Sequence, residues 1–261
     1  MMFFAPRGRY EPCGMFNPPH LIGLAVCLIV IVVCLFFFRR MSDATYFRLI
    51  RVFSVVLACM EAFKIGFSFV NGYSDLNSWL PLSFCSIFIY SLFLIGYGKG
   101  IPKKMAQAYV SGACPAAGLA FLLVPTTSFQ LYPFFHFQCF YSMFFHSSMM
   151  FFGISSLMRR FIPLNRRSFL LFALYYLFYA IVAMALNALT GQNLMMLAEP
   201  FALPFSFVYA IYDIAPLLYS LFVSLVYLFP TWGFSFLISK ILVGRKGSKG
   251  EKEEKQISFK V

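Results

Sequence analysis

The sequence predicts an all-α membrane protein: a polytopic bundle of about seven transmembrane helices, with its N-terminus outside the cytoplasm and its C-terminus inside. Hydrophobic residues make up 61% of the 261 residues and charged residues only 11%, whereas about a quarter of the residues in a soluble domain are charged. Several apolar runs are about 20 residues long, which is the length that crosses a bilayer as a helix. Basic residues lie almost entirely in alternate connections between these runs.

Seven apolar segments make up the predicted bundle. Backbone N–H and C=O groups must pair internally in lipid, and runs such as LIGLAVCLIVIVVCLFFF lack the alternation of a barrel strand, so each segment is predicted to be a helix. The expected spans are 20–38, 49–70, 80–98, 105–124, 132–157, 168–188 and 216–240. They leave an extracytoplasmic segment 1–19, a membrane domain 20–243 and a polar cytoplasmic tail 244–261, which is predicted to be disordered.

The distribution of positive charge sets the predicted orientation. Of the 21 Lys and Arg residues, 18 lie between spans one and two, three and four, and five and six, or after span seven. The opposite connections, 71–79, 125–131 and 189–215, contain no Lys or Arg. The positive-inside rule then places the basic side in the cytoplasm, and only an odd number of spans preserves the alternation. We therefore expect a multi-pass protein of the cell (plasma) membrane.

One stretch does not follow the simple pattern of one helix per segment. Residues 201–215 are apolar but are separated from span seven by Pro216 and interrupted by Pro204. Counting them as a further span would break the alternation of charge. We expect a short interfacial or re-entrant helix in 201–215, with aromatic residues at the level of the lipid headgroups.

Charge and cysteine usage argue against several other classes of protein. The formal net charge of +12 comes from residues that flank apolar runs and anchor helices, so nucleic-acid binding is not indicated. The seven cysteines are spread singly along the chain, without CxxC spacing, which is not typical of a disulfide framework or a metal site. We expect membrane lipids as partners, and neither a metal nor another cofactor.

Polar residues inside apolar segments are the candidates for function, because each is costly to keep in lipid. They are Glu61 and Lys64 in span two, Cys85 in span three, His136 and His146 in span five, and Asn193 and Asp213 near the outer ends of spans six and seven. From the helical rise per residue, Lys64 would lie ~9 Å, Cys85 ~8 Å and His146 ~20 Å below the outer ends of their helices. These depths favour the outer half of the membrane.

Cys85 and His146 together suggest nucleophilic acyl transfer. An imidazole that takes the thiol proton lets the thiolate attack an ester carbonyl, and a second substrate then resolves the thioester. Simpler interpretations stay open: a membrane cysteine is usually a small packing residue, and a membrane histidine more often hydrogen-bonds between helices. Glu61 and Lys64, at i and i+3, fit a buried ion pair as well as a substrate-binding role.

Five short motifs resemble the YwaF-like family of bacterial membrane proteins. In chain order they are EAFK (61–64), WLPLSFCSI (79–87), PFFH (133–136), FFHSS (144–148) and GQNLMML (191–197). The resemblance covers about residues 45 to 235 and implies a membrane helix bundle. Two positions depart from the usual pattern, because Ser83 stands where LPLHLC has its histidine, and Leu194 stands where NYM has its tyrosine.

This family is similar to a eukaryotic membrane acyltransferase that makes polyunsaturated ether phospholipids. That enzyme is described as working through a cysteine in the LPLxxC segment and a later histidine. The resemblance therefore implies that Cys85 and His146 are the reactive pair. Beside them, Lys64 tuned by Glu61 would bind a phosphate or polarise the carbonyl, and Asn193 would donate to an oxyanion.

Two hypotheses follow. The first is a lipid acyltransferase or transacylase whose acyl donor is a phospholipid ester, since acyl-CoA does not reach a site open to the outer half of the membrane. The alternative is a small-solute transporter or a receptor, in which the same polar groups form a binding site near the midplane. Trapping Cys85 as a thioester with a lipid-like probe would distinguish them.

Overall fold

The structure, a computed structural model, describes residues 2–200 and 206–258, and within them it is helical without any strand. The predicted all-α helix bundle is therefore confirmed. The helices are α1 Pro18–Phe38, α2 Asp43–Val70, α3 Leu76–Trp79, α4 Ile87–Tyr97, α5 Gly100–Gly112, α6 Cys114–Leu123, α7 Phe137–Arg159, α8 Arg166–Thr190, α9 Ser206–Ile214 and α10 Pro216–Ser258. Short 3₁₀ turns occur at Met2–Phe4 and Leu194–Met196.

Polar residues fix where the long helices begin. The Asn17 side chain accepts a hydrogen bond from the first turn of α1, whose first residue is Pro18. Ser42 accepts from the Thr45 N–H at the start of α2, and Asn165 forms a reciprocal capping box with Ser168 at the start of α8. Each cap provides a partner for an N–H group that the helix itself leaves unpaired.

The segment before α1 is fastened across one end of the bundle, which we call the strap end. The Arg7 guanidinium donates to the hydroxyls of Tyr132, at 3.0 Å, and Ser78, at 3.3 Å. It also forms an ion pair with Asp75, with 3.6 Å between Nη1 and Oδ2. The Arg7 backbone N–H donates to the Tyr73 hydroxyl at 2.7 Å. The N-terminal segment thus joins the α2–α4 connection to the α6–α7 connection.

The opposite end, which we call the basic end, is held mainly by Arg159 in the last turn of α7. Its guanidinium donates to the Phe38 carbonyl at 2.9 Å and pairs with Asp43 at 2.8 Å. Arg51 donates from Nε to the Gly96 carbonyl at 2.8 Å. These contacts bring together the α1–α2, α4–α5 and α7–α8 connections, which are the connections rich in Lys and Arg.

The described chain passes seven times between the strap end and the basic end, but not every pass is a long apolar helix. Four helices are long and apolar enough to cross a membrane: α1, α2, α8 and the part of α10 from Pro216 to Leu242. The pair α5 and α6, bent by 44°, forms a fifth candidate. The short α4 and the more polar α7 make the other two passes. A polytopic bundle is shown, while seven membrane spans and their orientation stay predictions.

The third predicted span, 80–98, is wrong in its first half. The helix covers only Ile87–Tyr97, and residues 80–86 run as turns and extended backbone. Pro81 would suit the first turn of a helix, but it lies six residues before α4 begins. Irregular backbone within a membrane bundle is tolerated where protein covers it or where it lines a cavity. Cys85 therefore lies on this irregular segment and not one turn inside a helix.

Two other predicted segments lie at the limits of the described residues. For 201–215, residues 201–205 fall outside the described part, and a short helix, Ser206–Ile214, follows. Its depth in the membrane stays a prediction. The backbone of α10 continues as helix to Ser258, beyond residue 243, where the sequence ends the membrane domain. The expected disorder of 244–261 also stays a prediction.

Candidate functional site

Cys85 lies one residue before the N-cap of α4, on a turn that its neighbours define. The Ser83 hydroxyl accepts from the Ser86 N–H at 3.1 Å and lies 2.8 Å from the Ser86 hydroxyl. The Cys85 carbonyl accepts from the Phe88 N–H at 3.0 Å. Cys85 is partly buried as a whole residue. Ser83, which stands where the resembling family has a histidine, therefore shapes the turn.

Phe84 ties this turn to two other helices. Its carbonyl accepts from the Tyr109 hydroxyl of α5 at 2.7 Å. Its ring is stacked on Tyr227 of α10, with 4.3 Å between ring centroids and 4° between planes. Cys85 lies close enough to Tyr109, Cys114 and Tyr227 to interact electrostatically with each of them. The turn that carries Cys85 is thus tied to α5 and α10.

The GQNLMML motif folds into a buried turn beside these helices. Met195 and Met196 both have left-handed backbone, with φ of 57° and 55°, which costs a non-glycine residue on the order of 1–3 kcal/mol. Asn187 holds the turn by donating to the Leu194 carbonyl at 3.1 Å and accepting from the Leu194 N–H at 2.7 Å. From α10, Tyr227 donates to the Met195 carbonyl at 3.1 Å. Strained backbone that the surroundings hold in place is common at functional sites.

The three histidines of the chain differ in how many ring nitrogens are occupied. His20 accepts from the Phe16 N–H at Nδ1, and its Nε2 lies 3.0 Å from the Leu122 carbonyl. His136 accepts from the Gln138 N–H at Nδ1, and its Nε2 lies 3.0 Å from the Ala5 carbonyl. Both rings are fully hydrogen-bonded. His136 is the N-cap of α7, so its expected position inside a helical span is wrong.

His146 is the exception among the three. Its Nδ1 lies 2.8 Å from the Ser142 carbonyl. Because a carbonyl only accepts, Nδ1 carries the hydrogen and the neutral ring has its lone pair on Nε2. In the part of the chain that the structure describes, Nε2 is buried and has no hydrogen-bond partner. The Nε2 lone pair of His146 is thus unused among the described residues.

Close packing of α6 on α7 fixes the His146 ring. A Cβ atom on Gly118 would lie 2.7 Å from the His146 carbonyl oxygen, and one on Gly153 would lie 2.5 Å from Pro115. The ring stacks on Phe121 of α6, with 3.6 Å between centroids. Cys85 interacts with the other end of the same helix, at Cys114. No hydrogen bond joins Cys85 to His146 among the described residues.

Glu61 and Lys64 form the expected ion pair on α2. Lys64 Nζ lies 2.5 Å from Glu61 Oε1, with 20% of the lysine side chain and 8% of the glutamate side chain exposed. The second carboxylate oxygen accepts from the Tyr141 hydroxyl of α7, a partner that sequence reasoning missed. Glu61 also interacts electrostatically with Tyr90 of α4, whose hydroxyl donates to the Pro81 carbonyl at 3.0 Å. The cluster thus reaches the irregular segment that carries Cys85.

Comparison with known families identifies the group to which this sequence is related. The model of the TMEM164 family matches residues 15–236, which include every candidate residue discussed so far. The chain belongs to the TMEM164 family. Together with its apolar helices, this membership shows a membrane protein with several helices in the membrane, while the plasma membrane in particular stays a prediction. No curated protein and no solved structure matches the chain.

The remaining predicted site residues have other surroundings. The Asn193 side chain accepts from the Ala198 N–H at 3.1 Å and donates to the Glu199 carbonyl at 2.8 Å. It therefore stabilises its own loop, which leaves less of its amide for an oxyanion. Asp213 is exposed on α9. Within the described residues, no group of three or more His, Cys, Asp or Glu side chains could hold a metal ion.

Proposed function

We propose that this protein is an intramembrane lipid acyltransferase or transacylase that works through a thioester on Cys85. The observation that carries the proposal is the tautomer of His146, whose buried Nε2 lone pair has no partner among the described residues. A general base needs such a lone pair, and neither His20 nor His136 offers one. The resemblance of the LPLSFCSIF and FFHSS motifs to a cysteine-dependent acyltransferase supports the same pair.

The first half-reaction transfers the acyl group to the enzyme. His146 Nε2 takes the proton of the Cys85 thiol, and the thiolate sulfur forms a bond to the ester carbonyl carbon of a phospholipid. When the tetrahedral intermediate collapses, the ester C–O bond breaks and the lysophospholipid oxygen takes the proton from His146. Cys85 then holds the acyl chain as a thioester.

The second half-reaction releases the acyl group. The hydroxyl of an acceptor lipid gives its proton to His146 and attacks the thioester carbonyl. The C–S bond breaks, the new ester forms, and the Cys85 thiolate regains the proton. No oxidant, reductant or nucleotide is consumed, because an ester is exchanged for an ester of similar energy.

One feature next to Cys85 supports charge stabilisation there, and Lys64 supports binding of a lipid headgroup. The N-terminus of α4 follows the cysteine by two residues, and the positive end of a helix dipole stabilises both a thiolate and an oxyanion. Lys64 remains partly exposed beside Glu61, so its ammonium would bind the phosphate of a lipid headgroup. No hydrogen bond joins the described Cys85 and His146 side chains, so the proposed reaction requires a movement on substrate binding that brings them together.

The proposal is tested by trapping the thioester. The protein in nanodiscs is incubated with a phospholipid that carries an alkyne-tagged acyl chain, and labelled peptides are identified by mass spectrometry before and after hydroxylamine. We expect a hydroxylamine-sensitive label on Cys85 that Cys85→Ser abolishes. Cys114→Ser is the matched control, because Cys114 is a buried neighbour. A wild-type protein that binds the lipid without labelling Cys85 would exclude the enzyme and favour a transporter or receptor.

A further inference from the structure

The strained turn at Leu194–Met196 and the Cys85 segment are far apart in sequence but share one contact residue. The hydroxyl of Tyr227 donates to the Met195 carbonyl at 3.1 Å. Its ring lies against the Phe84 ring, 4.3 Å away and nearly parallel. Met195 is left-handed, with φ of 57°, so the direction of its carbonyl depends on a backbone conformation that L residues rarely adopt.

Phe84 is held by two contacts, one to its carbonyl and one to its ring. Tyr109 binds its carbonyl at 2.7 Å and thereby fixes the peptide plane that leads into Cys85. Tyr227 holds the ring, and the ring sets the rotation of Phe84 about its own Cα. Because Cys85 follows directly, fixing the peptide plane and the side chain of Phe84 restricts where the Cys85 backbone lies.

We propose that Tyr227 is a positioning residue for Cys85, which transmits the conformation of the Leu194–Met196 turn to the cysteine through Phe84. Tyr227 does not touch the reacting atoms in this role. The turn provides a fixed acceptor for the Tyr227 hydroxyl. The Tyr227 ring, which is stacked on Phe84, then holds the segment before α4 in its conformation. This role rests on the proposed function, in which Cys85 is the nucleophile, but the positioning itself can be measured on the thiol alone.

Two variants of Tyr227 separate its two contacts. Tyr227→Phe keeps the ring and removes the hydrogen bond to Met195, whereas Tyr227→Leu also removes the stacking on Phe84. Tyr46→Phe is the matched control, because Tyr46 is a buried tyrosine that loses a 2.6 Å hydrogen bond to Ser155 near the basic end. Thermal unfolding of each variant shows whether the bundle itself is intact.

The first measurement is the rate of Cys85 alkylation by a membrane-permeant maleimide, read at the Cys85 peptide by mass spectrometry. A released segment exposes the thiol, so we expect faster alkylation in Tyr227→Leu, a smaller rise in Tyr227→Phe and no change in Tyr46→Phe. The second measurement is thioester formation, which should fall about tenfold in Tyr227→Leu, since misplacement of a reacting group by a fraction of an ångström lowers the rate of an oriented reaction.

The outcomes distinguish the two proposals. If the wild type forms no thioester, the proposed function fails, and the alkylation rates still decide whether Tyr227 positions Cys85. Wild-type alkylation rates in both Tyr227 variants would overturn the positioning role. An equal rise in Tyr46→Phe would also overturn it, because the effect would then be a general loosening of the bundle. If Tyr227→Leu does not fold, the volume-conserving Tyr227→Phe carries the test.

Discussion

At the strap end, His20 and His136 use both ring nitrogens in hydrogen bonds, whereas in the centre of the bundle His146 uses only one. The backbone does not show this contrast, because left-handed non-glycine residues occur at Phe16 before α1 as well as at Met195 and Met196. The strap end is closed by Arg7, which binds three hydroxyl groups and one carboxylate. The centre contains an unpartnered imidazole nitrogen, at His146, among the described residues.

This difference indicates that the polar groups of the two regions have different roles. Buried polar groups are normally hydrogen-bonded, because leaving one unpaired costs about 1–3 kcal/mol. Arg7, His20 and His136 at the strap end follow this rule, although Trp79 Nε1 and Ser128 Oγ near that end are buried without a partner among the described residues. The centre departs from it at His146, whose buried Nε2 has no partner among the described residues. A buried hydrogen-bonding group that has no partner in the free protein can be paired by a bound substrate.

The largest effect is expected at His146. His146→Ala should slow thioester formation on Cys85 by about 10²–10⁴-fold, because general base catalysis contributes a factor of that size. The initial rate of labelling by the alkyne phospholipid measures it. His136→Ala is the control, and it should leave the labelling rate closer to that of the wild type. If His146→Ala is labelled at the wild-type rate, His146 does not act as the general base and does not differ from His136 in this respect.

A second comparison concerns the two ion pairs, one in the centre and one at the basic end. Replacing Lys64 alone by Met leaves the Glu61 carboxylate without its counter-ion, and removing one partner of a buried pair costs about 3–5 kcal/mol. Because 20% of the Lys64 side chain is exposed, we expect a loss near the lower bound. The double variant Glu61→Met/Lys64→Met should be more stable than either single variant.

The control for this pair is Asp43→Ala, whose side chain is 68% exposed in its pair with Arg159. Exposed pairs contribute only about 0–1 kcal/mol. Free energies of unfolding in mixed micelles, measured for all four variants, provide the test. If the single variants at Glu61 and Lys64 are as stable as the wild type, water reaches the pair. The centre of the bundle is then not a low-dielectric site.

Sequence reasoning predicted those parts of the molecule that local pattern determines. The apolar runs of α1, α2 and α8 are long enough to indicate spans by themselves, and the i, i+3 spacing of Glu61 and Lys64 indicated their pairing. The segment before α4 was predicted wrongly because Pro81 also fits the first turn of a helix. Its actual course depends on Tyr109 and Tyr227, which lie far away in sequence.

The sequence singles out Cys85 and His146 as candidates, but it does not reveal the residues that hold them in place. Cys85 and His146 stand out as polar groups in apolar runs. Tyr141 and Tyr227 gave no such signal, because the chain contains 15 tyrosines and nothing local distinguishes the two that reach Glu61 and Met195. Asn193 was expected to donate to an oxyanion, but its side chain bonds to its own loop, a contact that becomes visible only once the turn is folded.

The smallest effect is expected at the strap end, as a dependence of stability on pH. Burial lowers the pKa of His136 below its usual range, and the hydrogen bond to the Ala5 carbonyl partly opposes this shift. The folded state therefore binds the proton less readily than the unfolded chain, whose histidine titrates near pH 6.5 at about its ordinary value. Stability is complete above that pH and declines as the pH falls toward the lowered pKa of the folded state.

Protonation also removes the acceptor at Nδ1 that caps α7 through the Gln138 N–H. Asn at position 136 would keep a capping oxygen and lose the titration. We therefore expect the melting temperature of the wild type to fall between pH 7.5 and about pH 5 more steeply than that of His136→Asn. If the melting temperatures of the two proteins change in parallel with pH, His136 does not titrate in this range. Protonation of His136 then does not affect the stability of the strap end.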